Sequence, residues 1–286
     1  MYPAKFDYYQ ATSVDEVLSL LQQHGEDAKI LAGGHSLIPM MKLRLASPAV
    51  LVDIGQVADL RGFSTVADGS LRIGAMTTYH EIADANTGLD ALTEVCSIMG
   101  DLQVRNRGTI GGNLSHNDPA ADLPAVALAL DAQLEIRGPS GERLAPMEEF
   151  IVGLMETALA PGDLVVAVRF PPSGPASGSA YEKFENPASG YAICGVAAWV
   201  RRDGTGRIES CRVALTGAAD YAQRLRPVEE AMMGQQAGSE GIDAAAAKAG
   251  EGLQFLSDIH ADDVYRAHLT HVLTRRVLQK AIERAQ

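Results

Sequence analysis

Two glycine-containing segments hold the residues best suited to receiving a ligand. The first is Ile30-Leu31-Ala32-Gly33-Gly34-His35-Ser36-Leu37. A short apolar strand runs into a glycine pair and out into a helix. Glycine lets the backbone turn with positive φ and approach a ligand closely. The N–H groups at the start of the following helix can receive a phosphate, and Ser36 adds a hydroxyl. The second is Thr109-Ile110-Gly111-Gly112-Asn113, which offers adjacent N–H groups with Thr109 and Asn113 as side-chain partners. One glycine pair is more often a tight turn. Two such segments in one domain, with few basic residues nearby, point to a shared diphosphate, whose bridged phosphates need several converging donors. Neither segment is the G-x-G-x-x-G fingerprint, so a Rossmann domain is not indicated.

Downstream lies Asp118-Pro119-Ala120-Ala121-Asp122-Leu123-Pro124, ahead of an apolar run. Asp118 and Pro119 are expected to be the N-cap and first residue of a helix. Asp122 has two readings, a structural carboxylate or an acceptor for a pair of ribose hydroxyls. His35 stands beside the anion site or faces solvent, and His116 is similarly placed. His268 and His271 are three apart on a helix without a third ligand, which favours a surface or partner-facing role over a metal site. Met40 and Met41 read as core. Arg105 and Arg107 are either solvated or used in steering an acceptor or docking a partner.

The elements that position these groups follow from periodicity. Thr12-Ser13 caps a helix carrying Val14, Val17, Leu18 and Leu21, with Glu16 completing a capping box. Strands are expected at 28–32 and 49–54, giving with that helix a compact βαβ unit, and a helix at 37–45. A strand at 70–75, helices opened by Thr77-Thr78 and over 89–99, a loop-rich run at 103–117, a helix at 119–130, and strands at 133–137 and 163–170 follow. The Pro, Gly and Ser of 171–179 mark a linker. Beyond it, 190–201 and 207–216 are long strands joined by Asp203-Gly204-Thr205-Gly206. The chain then turns helical, and Val264, Leu269, Val272, Leu273, Leu278 and Ile282 form one stripe.

Composition narrows the function classes. With 286 residues, 47% hydrophobic, the chain is long enough for two domains with a sizeable core. A formal net charge of −12 argues against nucleic acid or an anionic membrane as partner. The three cysteines, Cys96, Cys194 and Cys211, have no C-x-x-C spacing, so buried thiols in a reducing cytoplasm are expected, not a metal or iron–sulfur site. No run of about 18 apolar residues suggests a membrane span.

The strings AGGHSLIPMMKLR, QVRNRGTIGGN with its trailing HNDPAADLPA, and YEKFENPASGYAICGVAA resemble the FAD subunits of xanthine-dehydrogenase-type molybdenum hydroxylases. The resemblance runs essentially end to end and is strongest to the medium chains of the aerobic carbon-monoxide-dehydrogenase-like group. It implies an α+β fold of the FAD-binding type shared with vanillyl-alcohol oxidase and p-cresol methylhydroxylase. Two subdomains, 1–55 and 56–175, would hold FAD between them. A C-terminal domain, 176–286, of the CO dehydrogenase flavoprotein type would add a three-stranded antiparallel sheet and helices.

By position, Ile30 to Leu37 and Thr109 to Asn113 would wrap the FAD diphosphate. Asp122 would bind the cofactor at its ribose. Met99 would line the site, and Leu164 and Val165 would meet the adenine side. Lys183 would approach the flavin, and Tyr191 would lie near the isoalloxazine. Many relatives carry a basic stretch after the lysine, where this chain reads Phe184-Glu185-Asn186-Pro187-Ala188-Ser189-Gly190. The implied function is electron transfer from 2Fe-2S clusters on a small partner subunit to quinone, O2 or NAD. A large molybdopterin subunit would complete a dimer of heterotrimers. This chain would then hold no catalytic side chain and no metal of its own. The alternatives are a free-standing FAD-dependent oxidoreductase of the same fold and a binding module without flavin.

Overall fold

A computed structural model describes residues 2–286. The first layer is a three-stranded parallel sheet in which Val50–Asp53 lies between Asp7–Gln10 and Ala28–Leu31. The helix Val14–His24 crosses from the first strand to the third. Ser13 accepts the Glu16 N–H at 3.2 Å, while the Glu16 carboxylate takes the N–H and hydroxyl of Thr12, so the capping box closes one residue earlier than its usual form. Val17, Val52, Val57 and Leu60 fill the core beneath.

The second layer is a five-stranded antiparallel sheet in the order Phe63–Thr65, Leu71–Gly74, Leu164–Phe170, Gln133–Gly138, Gly141–Pro146. Its central strand, Leu164–Phe170, comes last in the sequence. A bulge interrupts its pairing between Val165 and Ala167. An extra residue reverses the in–out alternation beyond it. Leu164 and Val166 therefore pack towards the parallel sheet, while Val165, Val168 and Phe170 join the opposite core.

On that side lie the helices Tyr79–Asp84, Asp90–Ile98, Leu102–Arg105, Ile110–His116 and Leu123–Ala129. The run 103–117, expected to be loop-rich, is thus largely helical. Gly111 and Gly112 fall in the first turn of Ile110–His116, where tertiary contacts outweigh their poor helix propensity. Leu123–Ala129 is buried at every position. A helix apolar all round needs partners all round, and it lies between the preceding helices and the C-terminal sheet. That helix begins after Asp122, not at Pro119. Asp118 instead turns its carboxylate onto the Ala120 N–H at 2.9 Å, a local turn that competes with helix initiation.

The C-terminal sheet pairs Ser177–Glu185, Ala192–Arg202 and Ile208–Thr216 antiparallel, with a two-residue fourth strand, Gln223–Arg224. The first of these strands starts inside the expected linker, because Tyr181, Ala197, Trp199 and Ala214 share a core with the second layer. The long helix Asp263–Arg284, capped by Asp262, covers the other face. Of the expected stripe, Leu269, Leu273, Leu278 and Ile282 are buried, but Val264 is 74% exposed. Arg266, Thr270 and Thr274 occupy buried positions on this helix instead.

The Thr274 hydroxyl is buried without a hydrogen-bond partner among the described residues. Thr274→Val is expected to raise stability by about 1 kcal/mol, because an unsatisfied hydroxyl is replaced by an isosteric methyl. Urea denaturation measures it, and a lower midpoint would refute the assignment.

Glu94 joins the layers. It accepts from Arg284 and Lys280 on the long helix and from the Tyr181 N–H. Burial opposes its ionisation, but these donors prevail and hold its carboxyl below the usual 4.5. A depressed folded value means stability that is complete above pH 4.5 and lost as pH falls through the folded value. Glu94→Gln is expected to flatten the acid limb of the stability profile. An unchanged limb would assign acid sensitivity elsewhere.

Candidate cofactor cleft

One large cleft, of about 990 Å³, runs between the parallel sheet, the second layer and the C-terminal hairpin. Its volume lies at the top of the usual range for small-molecule sites, about 300–1,000 Å³, which suits a dinucleotide. Both glycine segments reach it. Ile30, Ala32, Gly33, Gly34, His35, Ser36 and Leu37 line it from the first, and Thr109, Gly111, Gly112 and Asn113 from the second. Asp122, Met99, Leu164, Val165 and Tyr191 complete the expected set, with both strand residues presented beside the bulge. Leu31, Ile110 and Lys183 do not line it. The Ile110 side chain is fully buried.

The two segments serve differently. In the first, the Ile38 N–H returns to the Gly34 carbonyl at 3.0 Å. The five preceding N–H groups, Gly33 to Leu37, have no protein acceptor among the described residues. Ser36 stands at the N-cap position but its hydroxyl caps nothing. Gly34 holds φ at 77°, a left-handed conformation that glycine adopts without strain. This arc is a set of backbone donors suited to a diphosphate.

In the second segment the amides are already committed, contrary to the sequence expectation. Ile110 N–H donates to the Thr77 carbonyl, Gly111 to Ala75, Gly112 to the Thr109 hydroxyl and Asn113 to the Thr109 carbonyl. These glycines matter for close packing. A Cβ on Gly111 would lie 2.5 Å from the Ala75 Cβ. On the other segment, a Cβ on Gly33 would lie 2.1 Å from the Arg107 carbonyl oxygen, so the first segment touches the backbone just ahead of the second.

Asn113 donates to the Tyr79 hydroxyl at 3.0 Å, and its Oδ1 is buried without a partner among the described residues. Burial pushes the Tyr79 phenol up, so it stays protonated. Tyr79 also lines the cleft, and nothing in the periodicity singled it out.

Asp122 is held from across the domain boundary. Tyr181 donates to it at 2.5 Å and Lys183 at 3.2 Å. Lys183 also donates to the Gly190 carbonyl at 2.6 Å, tying down the turn that carries Tyr191. Its ammonium therefore has two acceptors inside the protein, at the position where the resemblance places it near the flavin. Burial pushes the Asp122 carboxyl up, and Lys183 beside it opposes that shift. Two of the carboxylate's roughly four lone-pair positions remain. Tyr181 was legible in principle, since residues two apart share a strand face.

His35 is exposed, His268 is exposed and His271 half-buried. No group of three potential ligands that could hold a metal exists among the described residues. All three cysteines are free and buried, and burial pushes the Cys194 thiol up to about 12. No helix is long and apolar enough to cross a membrane among the described residues.

The donor arc, the bare Asn113 oxygen and the cleft's size fit FAD. Comparison with known proteins agrees. Residues 4–173 match the family described as the FAD binding domain in molybdopterin dehydrogenase, and residues 179–281 match the CO dehydrogenase flavoprotein C-terminal domain. The chain is 37% identical to 6-hydroxypseudooxynicotine dehydrogenase complex subunit alpha of Paenarthrobacter nicotinovorans, covering 100% of this chain and 97% of that one. It is 36% identical to the carbon monoxide dehydrogenase medium chain of Hydrogenophaga pseudoflava, covering 98% of each. A chain in the structure of reconstituted CO dehydrogenase from Oligotropha carboxidovorans superposes with a TM-score of 0.94 at 35% identity, covering 99% of this chain and 100% of that one. The chain belongs to the family of FAD-binding subunits of molybdopterin dehydrogenases.

Proposed function

We propose that this chain is the electron-transfer flavoprotein of a cytoplasmic molybdenum hydroxylase complex. It receives electrons from 2Fe-2S clusters on a small partner subunit and delivers them to quinone, O2 or NAD. A large molybdopterin subunit oxidises the substrate, and two such heterotrimers pair. The cleft's donor arc, Gly33 to Leu37, carries the reading, because it is built to take a diphosphate without spending a cation.

When bound, FAD supplies the capacity to accept electrons singly and release them in pairs. The chain's own residues bind and orient it. Ile30 and Ala32 to Leu37 hold the diphosphate against the Thr109–Asn113 wall. Asp122 accepts from a ribose hydroxyl. Leu164 and Val165 flank the adenine, Met99 closes the apolar side, and Tyr191 covers the isoalloxazine. Lys183 positions Tyr191 through Gly190. The working units are residues 1–55, 56–175 and 176–286, each containing one of the three main sheets, with the cleft between the first two and bordered by the hairpin of the third.

An absorption spectrum of the purified chain, before and after incubation with FAD, tests the site. Bands near ~370 and ~450 nm are expected of a bound oxidised flavin. Their absence from the chain, both alone and purified with the subunits it assembles with, would overturn the reading. Reduction of the flavin by a hydroxylase substrate in the isolated chain would overturn the division of labour.

A further inference from the structure

The stretch Asp118–Asp122 lies in no helix or strand, yet it forms a wall of the cleft through Asp118, Ala121 and Asp122. Its own hydrogen bonds are local: Ala120 and Ala121 both donate back to Asp118. What fixes its place comes from the C-terminal domain. The Thr216 hydroxyl reaches the Ala121 carbonyl at 2.6 Å and the Pro119 carbonyl at 3.1 Å. Gly217 N–H donates to Pro119 at 2.9 Å and Ala192 N–H to Ala120 at 3.3 Å. Behind them, Arg266 ties the Ile193 and Gly217 carbonyls together at 2.5 and 2.7 Å.

Resting on the FAD reading of this cleft, we infer that Thr216 is a positioning residue of the cofactor site. It is fully buried at the end of its strand and touches no cleft space. Its hydroxyl is the one side-chain donor to the peptide next to Asp122 among the described residues. Without it, the Ala121 carbonyl loses its partner in a buried setting. The peptide then turns to find another, carrying the Asp122 backbone and the cleft wall with it.

The test uses the full-length chain. FAD affinity is measured by flavin fluorescence titration, and amide hydrogen exchange of Ala120 and Ala121 is followed without FAD. Thr216→Val is expected to weaken FAD binding about tenfold, the usual effect of one lost buried hydrogen bond, and to speed exchange at both amides. Thr216→Ser is expected to restore both. Thr274→Val, the same chemical change at a hydroxyl without a partner, is expected to alter neither. Wild-type affinity or unchanged exchange in Thr216→Val overturns the inference. So does loss of cooperative unfolding in both Thr216→Val and Thr216→Ala, which would make Thr216 a folding residue. A wild-type chain that takes up no FAD, both alone and purified with the subunits it assembles with, sinks the cleft reading itself, and this inference with it, before any variant is compared.

Discussion

Gly33→Ala is expected to lower FAD affinity by about a hundredfold or more, the effect of displacing a binding group by about 1 Å. The added Cβ would stand 2.1 Å from the Arg107 carbonyl oxygen and 2.9 Å from its carbon. Both are backbone atoms, so no rotamer change relieves the contact. The donor arc must move away from the opposite wall. Overpacking of this kind also costs about 1–3 kcal/mol of stability. Titration with FAD and thermal unfolding measure the two effects separately. Wild-type affinity in a folded Gly33→Ala chain would show that the arc does not set the diphosphate site. Gly34→Ala is a gentler change. Its Cβ meets the Ile38 Cδ1 at 2.7 Å, a side-chain end that can swing away, and the remaining cost is the strain of φ 77°. Gly111 offers no clean test, because its Cβ would strike the Ala75 backbone oxygen at 2.9 Å and disturb packing first.

Lys183→Met is expected to destabilise the chain by about 3–5 kcal/mol, the usual result of stripping one partner from a buried ion pair. The Lys183 and Asp122 side chains are only 3% and 6% exposed, so water cannot replace the lost ammonium. The carboxyl responds by holding a proton. Its folded value, already raised by burial, rises further above the ordinary 3.8. The folded state then keeps a proton that the unfolded chain releases. Stability of the variant therefore falls as pH rises from 3.8 through the raised value, relative to wild type. The double variant Lys183→Met, Asp122→Asn leaves no bare charge and is expected to cost less than the sum of the singles. Denaturant titrations across about pH 4 to 7 decide the matter. A pH-independent loss, or strict additivity, would show that the pair is not coupled.

Local architecture follows from the order of the amino acids alone. The Ser13–Glu16 cap, the Asp203–Gly206 turn and the apolar strands at 28–31, 50–53 and 164–170 all follow from neighbours within a few residues. Their signals are short-ranged, so periodicity and turn chemistry suffice. The two glycine segments were legible as close-approach elements for the same reason, and their resemblance to FAD subunits named the ligand.

Which amides are free depends on contacts between distant parts of the chain. Nothing in Thr109–Asn113 reveals that Thr77 and Ala75 consume its N–H groups, because those acceptors lie more than thirty residues away. The same holds for Lys183, whose ammonium goes to Asp122 and Gly190. Donor supply is a contest between local and distant partners. A sequence displays the local contestants, and only folding brings in the distant ones that win.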